Sequence, residues 1–183
     1  KRRTATVGPD LSHRRTLARQ VLFAPNVKRA IAAEAGDDAK KLEQAERKVH
    51  EYVHEIAADI SFTTIRFLVR ILRWLWKRIY DGIEIGHTDR LRDLAKEKVV
   101  VYVPCPRSHF DYLLLSYICY EKGLQLPHIA AGINLNLPVV GPILRRGGAF
   151  FLRRSFKGNR LYAAVFDAYL YQILLRGYSI EYF

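Results

Sequence analysis

Two clusters of side chains in this sequence are of the right types to do chemistry. The first is Cys105-Pro106-Arg107-Ser108-His109-Phe110-Asp111, which sets a thiol, a hydroxyl, an imidazole and a carboxylate in one short stretch. An imidazole within hydrogen-bond reach can draw the proton from an attacking hydroxyl. His109 and Asp111 are badly spaced to share that work, because residues two apart on a helix do not face each other. Ser108 followed by Asp111 also matches a capping box, with Ser108 as N-cap and Asp111 at N3. Spacing alone therefore leaves both a helix start and a reaction loop open. The second cluster is Arg145-Arg146 and Arg153-Arg154, around Gly147-Gly148-Ala149-Phe150-Phe151-Leu152. Two arginine pairs bracketing a short strand could grip a phosphate bidentately. A solvated basic edge that discourages strand pairing fits the same residues equally well. Phe156-Lys157-Gly158-Asn159 does not add a nucleotide site, since it lacks the Gly-x-x-x-x-Gly-Lys-Ser/Thr order of a phosphate loop.

Both clusters need a frame, and the pattern from residue 98 onward supplies one. Val99 to Val103 is a β-branched run ended by Pro104, which reads as a buried strand. Ligands of α/β sheets gather beyond the carboxyl ends of strands, where Pro104 to Asp111 would sit. Tyr112 to Tyr120 reads as a helix closed by Lys122-Gly123. His128-Ile129-Ala130-Ala131, Ala149 to Leu152 and Tyr178 to Phe183 read as three further strands, and Asn159 to Leu175 as a long helix. Leu137 to Ile143 is apolar but cut by Pro138, Gly141 and Pro142, so neither a long helix nor a membrane span is expected there. The order predicts an α/β layered domain over 98–183, following a helical region over 1–97. Tyr178 to Phe183 is expected to form an exposed sheet edge.

Residues 1–36 are basic and loosely patterned, with a turn at Gly8 to Ser12 and a helix from Arg14 to Leu22. From Asp37 an apolar repeat through Leu42, Ala45, Val49, Val53 and Ile56 marks a helix. A further helix covers 60–80, with no acid between Asp59 and Asp81. Arg66, Arg70, Arg73 and Lys77 share one stripe. Ile65, Leu68, Ile71, Leu72, Leu75 and Ile79 lie opposite, with Trp74 and Trp76 at the flanks. That is the pattern of a helix lying in a membrane surface, and also of an amphipathic helix packed on a core.

The net charge of +12 over 183 residues favours an anionic partner. The basic residues are scattered and no nucleic-acid motif is present, so no nucleic acid is expected. Cys105 and Cys119 lack metal or redox spacing, which suits free thiols in a reducing compartment. The sequence holds no methionine and starts Lys1-Arg2-Arg3, so it is expected to be an internal fragment.

Val103-Pro104-Cys105-Pro106-Arg107-Ser108-His109-Phe110-Asp111-Tyr112-Leu113-Leu114-Leu115-Ser116-Tyr117 resembles the first motif of the bacterial membrane-bound glycerol-3-phosphate 1-O-acyltransferase family. His128 to Asn136 and Gly148-Ala149-Phe150-Phe151-Leu152-Arg153-Arg154 resemble its next stretch and second motif. Gly8 to Arg15 is similar to sequence upstream of the motifs. The resemblance implies an α/β acyltransferase domain, incomplete at its C-terminus because a Glu-Gly-Gly-Arg-Ser motif would begin just beyond Phe183. It implies acyl transfer from acyl-CoA or acyl-carrier protein, as co-substrate, to glycerol 3-phosphate, with no metal and no bound cofactor. It also implies a membrane-surface partner and a place at the cytoplasmic face of a bacterial inner membrane. In such a family a His-x-x-x-x-Asp pair does the chemistry, and here Asp111 holds the aspartate position. Arg153 and Arg154 correspond to the phosphate-binding arginines, with Arg107, Ser108, Gly148 and Phe151 around the substrate.

The histidine position is 106, and residue 106 is proline. Proline has no titratable group, so little or no acyl transfer is expected of this chain. A non-catalytic membrane- or lipid-binding relative is the alternative.

Overall fold

The computed structural model describes residues 14–80, 82–86, 88–105 and 111–182. Three helices come first: α1 (Arg14–Leu22), α2 (Pro25–Ala35) and α3 (Ala39–Ile56). Asp38 caps α3 by accepting from the backbone N–H of Lys40 and Lys41, which satisfies donors left open at a helix start. Leu42, expected on the apolar face of α3, is exposed, because the helix meets the core only from Ala45 onward. The sequence pattern did not resolve α2, although Pro25 at its first position is a helix-start signal.

Next come α4 (Phe62–Ile79), α5 (Thr88–Glu97) and β1 (Val101–Tyr102), then α6 (Asp111–Glu121) and β2 (His128–Gly132). After a 3-10 turn at Ile133–Leu135, α7 (Val140–Arg146), β3 (Ala149–Leu152), α8 (Arg160–Leu175) and β4 (Ile180–Glu181) complete the order. A helical N-terminal region is thus followed by the first part of an α/β domain. Pro142 is accommodated in the first turn of α7, where its missing N–H would have had no partner in any case.

The four strands form one parallel sheet in the order β1-β4-β2-β3. The exposed edge expected at Tyr178 to Phe183 is not where the chain places it. β4 lies between β1 and β2, with Tyr178, Ser179, Ile180 and Glu181 all buried. Both faces are covered, as suits an interior parallel strand, although one of them carries the polar Ser179 and Glu181. Sequence order could not say that α8 carries the chain back past β3 and β2. The outer strands are β1 and β3, so Val99 to Val103, expected to be a buried strand, instead forms an edge on which Val99, Val101 and Val103 are exposed.

One face of the sheet, carrying Ala130, Phe150 and Ile180, packs on α8 and through it on α1, α2 and α3. Leu161, Tyr162, Val165, Ala168, Tyr169 and Ile173 of α8 are almost wholly removed from water, so this helix is the hub of the core. The other face carries Ile129, Ala131, Ala149 and Phe151 and packs on residues of α7 and the 3-10 turn. α6 joins Tyr102 of β1 to α4 through Cys119, Leu115, Ile65 and Val69.

The outward side of α4 differs from the sequence pattern. Ile65, Val69, Leu72 and Trp76 face the core, whereas Ile71 and Ile79 are exposed. Trp76 is therefore a core residue, while Phe67 and Trp74 are 62% and 65% exposed. The helix has two apolar stripes, one inward and one outward, with the basic ladder between them. None of the described helices is long and apolar enough to cross a membrane.

Candidate functional site

Because the strands are parallel, their carboxyl ends share one edge of the sheet. Val103 to Cys105 leave β1 at that edge, and Arg153 and Arg154 leave β3 there. β1 and β3 are the outermost strands, three inter-strand spacings or about 14 Å apart. The order reverses between them, since β2 leads outward to β3 and β3 leads back to β4. Such a reversal is where open parallel sheets form a ligand crevice.

Arg153 is the most fully held cation of the site. Its Nε and Nη2 donate to the two carboxylate oxygens of Glu55, each at 2.7 Å. Its guanidinium lies over the rings of Tyr162 and Tyr52, 4.5 and 5.1 Å from their centroids. Cations are drawn to ring faces in this way. The hydrogen bond with Glu55 pushes the Arg153 pKa above the ordinary arginine value. Asn159 ties the frame together: its Oδ1 accepts from Tyr162 N–H at the start of α8, and its Nδ2 donates to Tyr52 OH at 3.0 Å. The Tyr162 hydroxyl in turn accepts from the Arg153 backbone N–H.

Arg154 is exposed and makes no hydrogen bond or ion pair among the described residues. Lys157 and Arg160 are also exposed, so the whole β3–α8 connection is a basic rim.

Arg145 behaves differently from its pair mate. It is 8% exposed and donates to the backbone oxygens of Ala57 and Glu55 and to Asn136 Oδ1. Its guanidinium lies 4.6 Å from the Phe151 ring centroid. The oxygens it meets belong to the C-terminal end of α3, where helix carbonyls lack intrahelical partners. Gly141 allows this, since a Cβ there would collide with Asn136 Oδ1. Arg146 is exposed.

The other residues named from the sequence are placed as follows. Phe151 is fully buried beneath Arg145. Gly148 opens β3 at the edge opposite Arg153, with φ at 109°, a conformation that side chains rarely adopt. Asp111 is the first residue of α6. Residues 106–110 lie outside the described residues, and with them Pro106, Arg107, Ser108, His109 and the Ser108–Asp111 capping box. The turn at Gly8 to Ser12 also lies outside them.

Glu181 was not singled out from the sequence. It is fully buried on β4, and neither carboxylate oxygen has a hydrogen-bond partner among the described residues. Burial pushes its pKa up to about 8. Burial also raises the Cys119 thiol to about 11, with a smaller push from Glu181. His128 is the opposite case: burial lowers its pKa to about 4.

The acyltransferase family model matches residues 84–183. The chain belongs to the acyltransferase family. It is 55% identical over 181 residues to the glycerol-3-phosphate acyltransferase of Pseudomonas aeruginosa, an alignment covering 99% of this chain and 22% of the relative. The glycerol-3-phosphate acyltransferases of Pseudomonas putida and Pseudomonas entomophila are 54% and 51% identical over the same share of each chain. The chain thus spans about a fifth of the length of the curated relatives it matches. The family match begins at residue 84, so Tyr52 and Glu55 reach the acyltransferase residue Arg153 from outside it. The apolar repeat at Val49, Val53 and Ile56 could have flagged Tyr52 and Glu55 as flanking the buried stripe. Nothing in it could have named their partner.

Proposed function

We propose that this chain carries the glycerol 3-phosphate-binding part of an acyltransferase of phospholipid synthesis. Arg153 and Arg154 hold the phosphate of glycerol 3-phosphate. The hydroxyl at its carbon 1 attacks the thioester carbonyl of acyl-CoA or acyl-carrier protein. The C–O bond forms, the C–S bond breaks, and the hydroxyl proton passes to a base and then to the departing thiol. A histidine at position 106, oriented by Asp111, is the base this design calls for. Pro106 cannot take a proton, so the chain as it stands transfers little or no acyl group. Positioned general-base catalysis supplies about 10²–10⁴-fold, roughly 3–5 kcal/mol of barrier. The observation that carries the reading is a pair of arginines at the carboxyl end of β3, in a sheet whose first strand leads toward Asp111.

A chimaera in which this chain replaces the matching fifth of the Pseudomonas aeruginosa relative tests it. Pro106→His should raise acyl transfer to glycerol 3-phosphate by at least about 10²-fold over the proline form. A folded, membrane-bound Pro106→His chimaera without transfer would favour a non-catalytic lipid-binding relative.

The membrane surface enters as a partner through α4. Phe67, Ile71 and Trp74 point outward beside Arg66, Arg70, Arg73 and Lys77, with Arg73 also paired to Glu121. Apolar side chains beside a basic ladder suit an anionic lipid surface. Vesicles containing phosphatidylglycerol should bind the chain, and Trp74→Ser with Phe67→Ser should weaken binding several-fold. Equal binding by the double variant would remove α4 from that role.

A further inference from the structure

Arg153 spends only one edge of its guanidinium on Glu55. A guanidinium carries five N–H donors, and the pair uses Nε and one hydrogen of Nη2. Among the described residues nothing takes the end formed by Nη1 and the second Nη2 hydrogen, and the side chain is 37% exposed. A phosphate can be gripped through that end while the side edge stays paired, because each edge offers two parallel donors. The plane of the guanidinium is fixed as well, by the Tyr52 and Tyr162 rings. Those rings are themselves held by Asn159 and by the Arg153 backbone N–H.

We infer that Glu55 is a positioning residue for the phosphate site: its carboxylate locks the side edge of Arg153 so that the end edge meets the phosphate of glycerol 3-phosphate. The inference rests on the phosphate-binding role proposed for Arg153. It assigns part of the substrate site to the helical region, at a residue 98 positions away in sequence. The cost of preordering a long, flexible side chain is met in folding, so less is left for the ligand to overcome. Arg154, exposed beside it, supplies charge that no carboxylate offsets among the described residues. A carboxylate that merely occupied the arginine would have the opposite effect, since the ligand would then have to displace it.

The test is a titration of the 183-residue chain with glycerol 3-phosphate, with glycerol as the neutral control, followed by calorimetry and by the Arg153 Nε–Hε resonance. Glu55→Gln should weaken glycerol 3-phosphate binding by about tenfold, by analogy with the lower end of what metal affinity loses when the hydrogen-bond partner of a metal ligand is removed. The thermal melt should stay cooperative, and Glu55→Asp should restore part of the affinity. Unchanged affinity would make the pair structural only, and tighter binding would make Glu55 a competitor; either result overturns the inference. If Glu55→Gln does not fold, Tyr52→Leu probes the same frame from the ring side and carries the same outcomes. Arg153→Gln separates the two levels of the argument. Binding that survives Arg153→Gln, or no saturable binding by the parent chain, overturns the phosphate role of Arg153 itself. Binding lost in Arg153→Gln but kept in Glu55→Gln overturns only the role of Glu55.

Discussion

At the β3 end of the sheet, charge is held by partners and the strand is covered. Arg145 reaches the carbonyl oxygens that end α3, Arg153 pairs with Glu55, and Phe150 and Phe151 are sealed on opposite faces. At the β1 end, two residues pair with β4 and the valines of one face look outward: Val101 is 55% exposed and Val103 72%. The carboxyl buried beside this strand, Glu181, has no hydrogen-bond partner among the described residues. Arg153, proposed above to hold a phosphate, is already ordered by Glu55, whereas Arg154 beside it is exposed. Val103 to Cys105, which lead toward the position proposed for the base, leave from the weaker end. A shared parallel sheet can thus present a firmly packed half and a lightly held half at a single edge.

The sharpest way to break this contrast is at Arg145. Arg145→Met keeps the stem but strips α3 of the donors at its C-terminal carbonyls. Leaving buried carbonyl acceptors without a donor costs about 1–3 kcal/mol each, a large share of the roughly 5–15 kcal/mol that holds a domain folded. Urea unfolding should show a loss of that size. A loss under about 1 kcal/mol, typical of a surface change, would mean the β3 end is no better clamped than the other.

A smaller, pH-dependent effect sharpens the β1 side. The Glu181 pKa is raised from 4.5 to about 8 in the folded chain, so the folded state binds the proton more tightly than the unfolded one. Stability is complete below the ordinary carboxyl range and falls as pH rises from there toward 8. Glu181→Gln should therefore raise the urea midpoint at about pH 9 and change it little at about pH 5. Equal shifts at both pH values would show that the carboxyl is not held in its neutral form.

Much of the α/β layout was legible because periodicity and breakers are local. Val99 to Val103, His128 to Ala131 and Ala149 to Leu152 each mark a strand, and Asn159 to Leu175 a helix, within a residue or two of the chain's own bounds or containing them. The arginines on either side of β3 were legible as a cluster, but not their division of labour. Arg145 and Arg153 each depend on α3, far away in sequence, and no local pattern reports a partner at that separation. The inward turn of Trp76 and outward turn of Ile71 were misplaced for a related reason. α4 is apolar on more than one side, so only its neighbours decide which stripe is buried.

By itself the sequence determined the element types over most of the chain and its basic character, which follow from side-chain chemistry and short-range spacing. That Asp111 and Pro106 stand at the positions of an orienting aspartate and a base is what the family resemblance implies. Tertiary structure alone decided that β4 is interior, that Arg145 closes a helix, and that Arg153 is held by Glu55 and two tyrosine rings. Those outcomes depend on which distant surfaces meet, and burial then sets whether a charge is paired, neutral or free.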